Sequence, residues 1–290
     1  MKTNSPKSLV MLISSMLVFG TIGIFRRFIP LPSALIAFCR GLVGSVFLVL
    51  FLKLRGKKLL HGIGIRKGLW LALSGAVIGF NWIFLFEAFN YTSVSVATLC
   101  YYMEPVIVIV LSAILFHEKM TVRKALCALV ALIGMVLISG IIESGLPNAG
   151  ELRGILMGLT AALLYSTVVM MNMKLQGVDA YEKTVIQLAS AALVMIPYLL
   201  ITGEFTGNTW SAGTIGLLLF VGIVHTGICY ALYFGSIDGL RSQTIALFSY
   251  IDPITALVLS ALILHERMTV FGVLGAVLIL GSAIASELGA

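Results

Sequence analysis

Charge is scarce in this chain of 290 residues: Asp, Glu, Lys and Arg together make up 11%, against about 25% in soluble domains. That scarcity excludes an ordinary water-soluble globule. With 60% of residues hydrophobic, too little polar surface remains to cover the two soluble domains that the length would otherwise allow. Cysteine is sparse as well. Cys39, Cys100, Cys127 and Cys229 all lie in apolar runs, without CxxC or Cys/His spacing. They read as small buried hydrophobes, not as a disulfide framework or a metal site. The sequence also lacks the motifs of soluble catalysis. His117–Glu118 has no second histidine to complete HExxH, and there is no GxSxG elbow, P-loop or GxGxxG. The loops are too short to house a catalytic domain. An enzyme is not expected, ATP is not the direct energy source, and no cofactor is expected. The formal charge of +7 does not point to nucleic acid, because the basic residues form short clusters between apolar runs.

What the chain has instead is length in its apolar runs. Crossing about 30 Å of hydrocarbon takes roughly 20 helical residues. Ten such windows are present: 8–28, 33–52, 67–89, 93–115, 123–142, 154–173, 183–202, 212–235, 242–264 and 270–288. The first follows Lys2 and Lys7, as in a signal peptide. It has no small-x-small cleavage site and more spans follow, so it is expected to stay in the membrane. Lysine and arginine set the orientation. With the N-terminus inside, 14 fall on the cytoplasmic side (Lys2, Lys7, Lys53, Arg55, Lys57, Lys58, Arg66, Lys67, Lys119, Arg123, Lys124, Lys174, Lys183, Arg241). Four fall outside (Arg26, Arg27, Arg153, Arg267), and Arg40 lies within a span. Both termini are therefore expected in the cytoplasm.

An internal repeat organises the spans. Residues 102–121 read YMEPVIVIVLSAILFHEKMT and residues 250–269 read YIDPITALVLSALILHERMT, with ten of twenty positions identical at an offset of 148. The shared polar signature His-Glu-(Lys/Arg)-Met-Thr is not what two unrelated apolar helices produce by chance. Each repeat, 1–147 and 148–290, would hold five spans. Five is odd, so the second half enters the membrane inverted, and its signature ends on the opposite face. The expected fold is an all-α integral membrane protein of ten transmembrane helices in two inverted five-helix repeats. Such inverted repeats are the architecture of alternating-access transporters, with a site near the midplane.

The five-plus-five layout, the arginine of FCRGL (38–42), the run NWIFLFEAFNYTSVSVA (81–97) leading into YMEP, and the closing E-x-x-T of each repeat resemble the drug/metabolite transporter superfamily, EamA type. The resemblance covers nearly the whole chain. It implies a ten-helix bundle with a central cavity in a bacterial-type inner membrane, moving small metabolites, commonly outward. It does not imply one substrate.

An ionisable group deep in a bilayer is costly and so a functional candidate. Glu104 and Asp252 each precede a proline, Pro105 and Pro253, which disturbs the backbone carbonyl four residues back, that of Tyr101 or Ser249. Two carboxylates at matched positions beside helix irregularities suit substrate or proton binding; alternatively they pair with Arg40 or tyrosine hydroxyls and hold helices together. Arg40 cannot lose its proton, so it needs a partner or an anionic ligand. Glu87, near the outer end of its span, either takes part directly or reaches headgroups. His225 either titrates or is a buried hydrogen-bonding residue. Trp82, Tyr101, Tyr102, Tyr230 and Tyr250, with Tyr165 and Tyr233, pack plainly or form an aromatic cage around a cation. Thr121 and Thr269 are placed as N-caps, and Glu118 and Glu266 either suit the positive end of the helix that follows each or act in gating. Gly41/Gly44, Gly154/Gly158 and Gly272/Gly275 permit close helix approach. With three intramembrane acids to one base, the expected substrate is cationic or zwitterionic, such as an amino acid or an organic amine, moved by proton-coupled antiport. A uniporter, exchanger or channel for an anionic or neutral solute stays open, as do monomer and homodimer. The bilayer, the small-molecule substrate and protons are the expected partners.

Overall fold

The structure, a computed structural model, describes residues 5–56, 63–115, 121–139, 141–144, 147–173, 175, 178–237, 239–240 and 242–287. All regular structure among them is helical. An apolar chain of this kind has little choice, because in hydrocarbon each backbone N–H and C=O must be satisfied within its own segment. In chain order the helices are α1 (Pro6–Phe19), α2 (Ile22–Phe28), α3 (Ser33–Leu54), α4 (Ile65–Tyr91), α5 (Val94–Tyr101), α6 (Glu104–Leu115), α7 (Val122–Ile138), α8 (Ile141–Ser144), α9 (Ala149–Met173), α10 (Ala180–Thr202) and α11 (Ala212–Phe220). A π-helical stretch, Val221–Ile228, then leads into α12 (Cys229–Ile237), followed by α13 (Ser242–Ser249), α14 (Ile251–Ile263) and α15 (Val270–Glu287).

Seven stretches are long and apolar enough to cross a membrane: Pro6–Phe28, Ser33–Leu54, Ile65–Tyr91, Val94–Leu115, Ala149–Asn172, Ala180–Thr202 and Ala212–Ser236. Three more apolar helices are shorter, Ala125–Ile138, Ile251–Ile263 and Val270–Ala285. The ninth window is shortened because Tyr250 interrupts it between α13 and α14. The span holding Glu104 is broken in the same way, with Tyr102 and Met103 forming a turn between α5 and α6. The break sites, α5/α6 and α13/α14, match at the offset of 148, as the two proline motifs require.

The packing has its own regularities. α3 packs on α10 and α7 on α15, while α4 is held between α9 and α10. The main core gathers Leu35, Ile36, Leu48, Trp82, Phe86 and Met195. Where α7 crosses α15, a β-carbon on Gly275 would lie 2.6 Å from the Gly134 carbonyl oxygen, so only glycine admits this approach. Gly41, Gly44, Gly154 and Gly158 also face neighbouring helices, but Gly272 meets only its own turn. A tight contact also joins α1 to α14: a β-carbon on Gly20 would lie 2.5 Å from the Asp252 carbonyl oxygen. The first span is broken there, and the break between α1 and α2 rests against the break that carries Asp252. Cys39, Cys100, Cys127 and Cys229 are free thiols.

Candidate functional site

Arg40 comes from the middle of α3 and is only 6% exposed. A buried guanidinium needs compensation, and here it comes from a ring and a hydroxyl. The guanidinium carbon lies 4.3 Å from the Trp82 ring centroid and 5.8 Å from that of Phe86. Its Nε donates to Thr226 Oγ1 at 2.9 Å. A desolvated cation–π contact contributes about 2 kcal/mol. Of the alternatives for Asp252, the tyrosine one is seen: among the described residues it forms no ion pair with Arg40 and accepts a hydrogen bond from the Tyr102 hydroxyl. Arg40 and Asp252 are within electrostatic reach of one another without an ion pair.

Glu104 opens α6 and is half-buried, within electrostatic reach of the Tyr101, Tyr165 and Tyr233 hydroxyls. Its carbonyl oxygen accepts a hydrogen bond from Ser166 Oγ at 3.2 Å. Tyr101 packs against Tyr102 and Tyr165 with ring centroids 6.0 and 5.7 Å apart, and its hydroxyl bonds Asn81. Tyr230 packs against Phe19 at 5.4 Å and is among the electrostatic neighbours of Arg40. Tyr250 is buried at the α13/α14 break. The structure thus gathers Arg40, Trp82, Tyr101, Tyr102, Tyr230, Glu104 and Asp252 into one region. One element of the expected cage is altered: the protein's own Arg40 already occupies Trp82.

His225 lies in the π-helical stretch and is fully buried. Its Nε2 meets Thr21 Oγ1 at 2.6 Å, while Nδ1 has no hydrogen-bond partner among the described residues. The Phe25 and Phe220 rings flank it. It therefore ties the break of the first span to the irregular eighth span, beside Arg40. Glu87 does not reach toward headgroups. It accepts from Ser33 Oγ at 2.9 Å and from Asn90 Nδ2, close to a buried Arg26 that donates to Ser33, Asn90 and the Ile29 carbonyl. Burying Arg26 creates a cation that the nearby Glu87 carboxylate offsets, which draws Glu87 inward.

The second signature also departs from expectation. Thr269 caps its helix as expected, accepting from Gly272 N–H at 3.0 Å. Glu266, however, does not serve that helix. Its carboxylate accepts from the backbone N–H groups of Val94 at 3.0 Å and Ser95 at 3.3 Å. These are the first N–H groups of α5, a helix of the other half, and they have no intrahelical acceptor. The Ser260 hydroxyl also donates to Glu266, and Arg27 lies 3.4 Å away. His265, with φ at 53°, turns the chain so that Glu266 can do this. Glu118, in the matching signature, lies outside the described residues.

Thr226, Asn81, Ser95 and Arg26 were not singled out from the sequence. Threonine, asparagine and serine in an apolar run give no signal of their partners, and Arg26 counted there only as a loop charge.

The EamA-like transporter family matches this chain twice, over residues 6–140 and 152–286. An uncharacterized transporter of Bacillus subtilis, YxxF, is 30% identical over 274 residues, covering 94% of this chain and 86% of its own. Protein PecM of Dickeya dadantii is 26% identical over 263 residues, covering 89% and 84%. A crystal structure of another protein aligns with 98% of this chain and 97% of its own, with a TM-score of 0.68 and 21% identity, which speaks for the fold alone. A multi-pass membrane protein built for small-molecule transport follows from the match and the apolar helices together: the chain belongs to the EamA-like transporter family.

Proposed function

We propose that this protein is a secondary-active transporter of a small zwitterionic or cationic metabolite, built as ten membrane helices in two inverted five-helix halves and working by alternating access. The observation that carries this reading is the pair of matched helix breaks, which set Glu104 and Asp252 at corresponding starts of half-helices in a tyrosine-rich region beside Arg40. Two acids and one base share that region, so an ammonium group is the complement to the carboxylates. Arg40 favours the zwitterion in particular. Its Nε is engaged by Thr226, and the terminal nitrogens make no hydrogen bond among the described residues, so they are donors for a substrate carboxylate. A carboxylate that binds either a proton or the substrate ammonium couples the two by competition, which makes proton-driven export the working mechanism. The N-terminus and the Lys/Arg-rich loops lie in the cytoplasm, and the Glu266 end of the bundle faces outward.

The test is a thermal-shift screen on wild type and Glu104→Gln with organic cations, amino acids and carboxylate anions, followed by flux in proteoliposomes. A ligand at 100 times its dissociation constant stabilises by about 2.7 kcal/mol. Stabilisation by amino acids that Glu104→Gln and Arg40→Ala each abolish is the expected result. Stabilisation by simple anions, indifferent to Glu104→Gln, would overturn the substrate assignment. Unchanged pH-gradient-driven flux in Glu104→Gln would remove that residue from coupling.

A further inference from the structure

Away from the candidate site, a groove of about 410 Å³ lies at the end of the bundle where α1 begins and α3 and α12 end. One side is formed by α1 and α12, which pack on each other, and the other by α3 and α10, which do the same. Its walls are apolar. Met11, Phe47, Ile228 and Leu232 line it, and the Tyr181 hydroxyl at its edge donates to the Ala231 carbonyl at 3.1 Å. Its mouth is basic. Lys7, in the first turn of α1, and Arg55, just past the end of α3, both line it. Among the described residues, no acid lines the groove and neither cation forms an ion pair.

A cation at the end of α3 suits that helix's dipole, so Arg55 alone would need no further account. Lys7 does need one. It stands at the start of α1, where the dipole disfavours a cation and favours an anion, and Ser5 at the N-cap makes no side-chain bond to the first N–H groups. The Arg55 guanidinium carbon lies 4.8 Å from the Phe51 ring centroid. That stack uses the flat face of the guanidinium and leaves its N–H edge, whose fork matches phosphate oxygens. Depth fits as well. From Arg55 down to Phe47 is about 12 Å along α3, within the roughly 15 Å of hydrocarbon that belongs to one leaflet. Apolar walls at that depth exclude water, and a void would forfeit the dispersion contacts of its lining, so an acyl chain is the natural filling.

We propose that this groove is a binding site for one anionic phospholipid, its phosphate held between Lys7 and Arg55 and an acyl chain laid against Phe47, Ile228 and Leu232. A zwitterionic lipid fits less well, because it brings an ammonium group of its own to a mouth that already holds two cations. The bound lipid spans both halves of the chain: α1 and α3 fall in the first stretch matched by the family, α10 and α12 in the second.

The test is a lipid titration. Purified protein, freed of lipid in detergent, is titrated with phosphatidylglycerol or with phosphatidylcholine of the same chains, and bound lipids are counted by native mass spectrometry. Wild type is expected to hold one phosphatidylglycerol at least about tenfold more tightly than phosphatidylcholine. Lys7→Gln and Arg55→Gln should each weaken phosphatidylglycerol binding about fivefold and leave phosphatidylcholine binding as it was. Both residues are exposed, so these substitutions leave the packing alone. Leu232→Trp keeps both charges, narrows the groove and should weaken phosphatidylglycerol binding as well. Lys53→Gln with Arg66→Gln removes two charges from the same end but outside the groove, and should change nothing. An equal loss in that control would mean diffuse surface charge and overturn the site, as would equal affinity of wild type for the two lipids. Undiminished binding in Leu232→Trp, or inorganic phosphate bound as tightly as phosphatidylglycerol, would overturn the assignment to a lipid.

Discussion

At the scale of single residues, the decisive chemistry lies in how a buried cation is satisfied without a carboxylate. Arg40 rests on Trp82 and donates to Thr226. Thr226→Val removes the acceptor but keeps the volume, and is expected to destabilise by about 1–3 kcal/mol, measured by thermal melting in detergent. Arg40→Lys should not rescue transport, because an ammonium cannot reproduce the planar stack; near-normal flux in that variant would show that charge alone matters. Glu204 supplies a pH test outside the membrane spans. Burial, with Glu87 nearby, holds its carboxyl above the ordinary value of 4.5. A carboxyl with a raised folded pKa favours the fold in acid. That contribution is full below the unfolded value and is lost as pH rises through the folded one. Glu204→Gln should therefore raise the melting temperature slightly at pH 7.5, by less than about 1 kcal/mol for a largely solvated group, with the gain vanishing toward pH 4.5. The sequence made Arg40, Glu104, Asp252 and the tyrosines legible, because ionisable and aromatic groups stand out in apolar runs. It could not reveal Thr226 or Asn81, since a single hydroxyl or amide carries no mark of its partner. It also gave no sign that Glu87 meets Ser33 or that Glu266 meets the start of α5, since those partners are distant in the chain.

At the scale of helices, irregularity is where this chain concentrates its specificity. Pro105 and Pro253 announced two breaks, and both are present at matched positions. Replacing Pro253 by Ala restores an N–H and removes the ring clash, so α13 and α14 are expected to join into a straighter helix. Flux should fall while the melting temperature holds or rises; unchanged flux would show that the break is not needed. The break at Gly20–Thr21 and the π-helical stretch at Val221–Ile228 were not legible, as nothing local demands them. They arise where α1 must approach Asp252 and where His225 must reach Thr21. The crossing of α7 and α15 is a third case. Gly275→Leu inserts a side chain against the Gly134 carbonyl, and overpacking of this kind costs about 1–3 kcal/mol. A melting temperature equal to wild type would contradict the close approach.

At the scale of the whole molecule, the order and character of the apolar segments were legible because hydrocarbon permits so few backbone solutions. The lengths were less so. Windows of hydropathy do not register a turn such as Tyr250, which shortens the ninth segment. Orientation is open to direct measurement: cysteines at Leu54 and at Val270, both exposed, should be labelled from the cytoplasmic and the outer side respectively in intact cells. The reverse pattern would invert the assignment of inner and outer ends.

The stacking of Arg40 on Trp82 also gives the protein an optical readout of the proposed binding site. The chain has three tryptophans. Trp70 and Trp210 are each 47% exposed, whereas Trp82 is 5% exposed. Lipid-soluble or aqueous quenchers should silence the first two and leave Trp82 emitting. A substrate carboxylate that draws the guanidinium off the indole would change the wavelength and intensity of that remaining emission. Titrating unlabelled protein in the presence of quencher then reports occupancy directly, with no radioligand and no engineered probe.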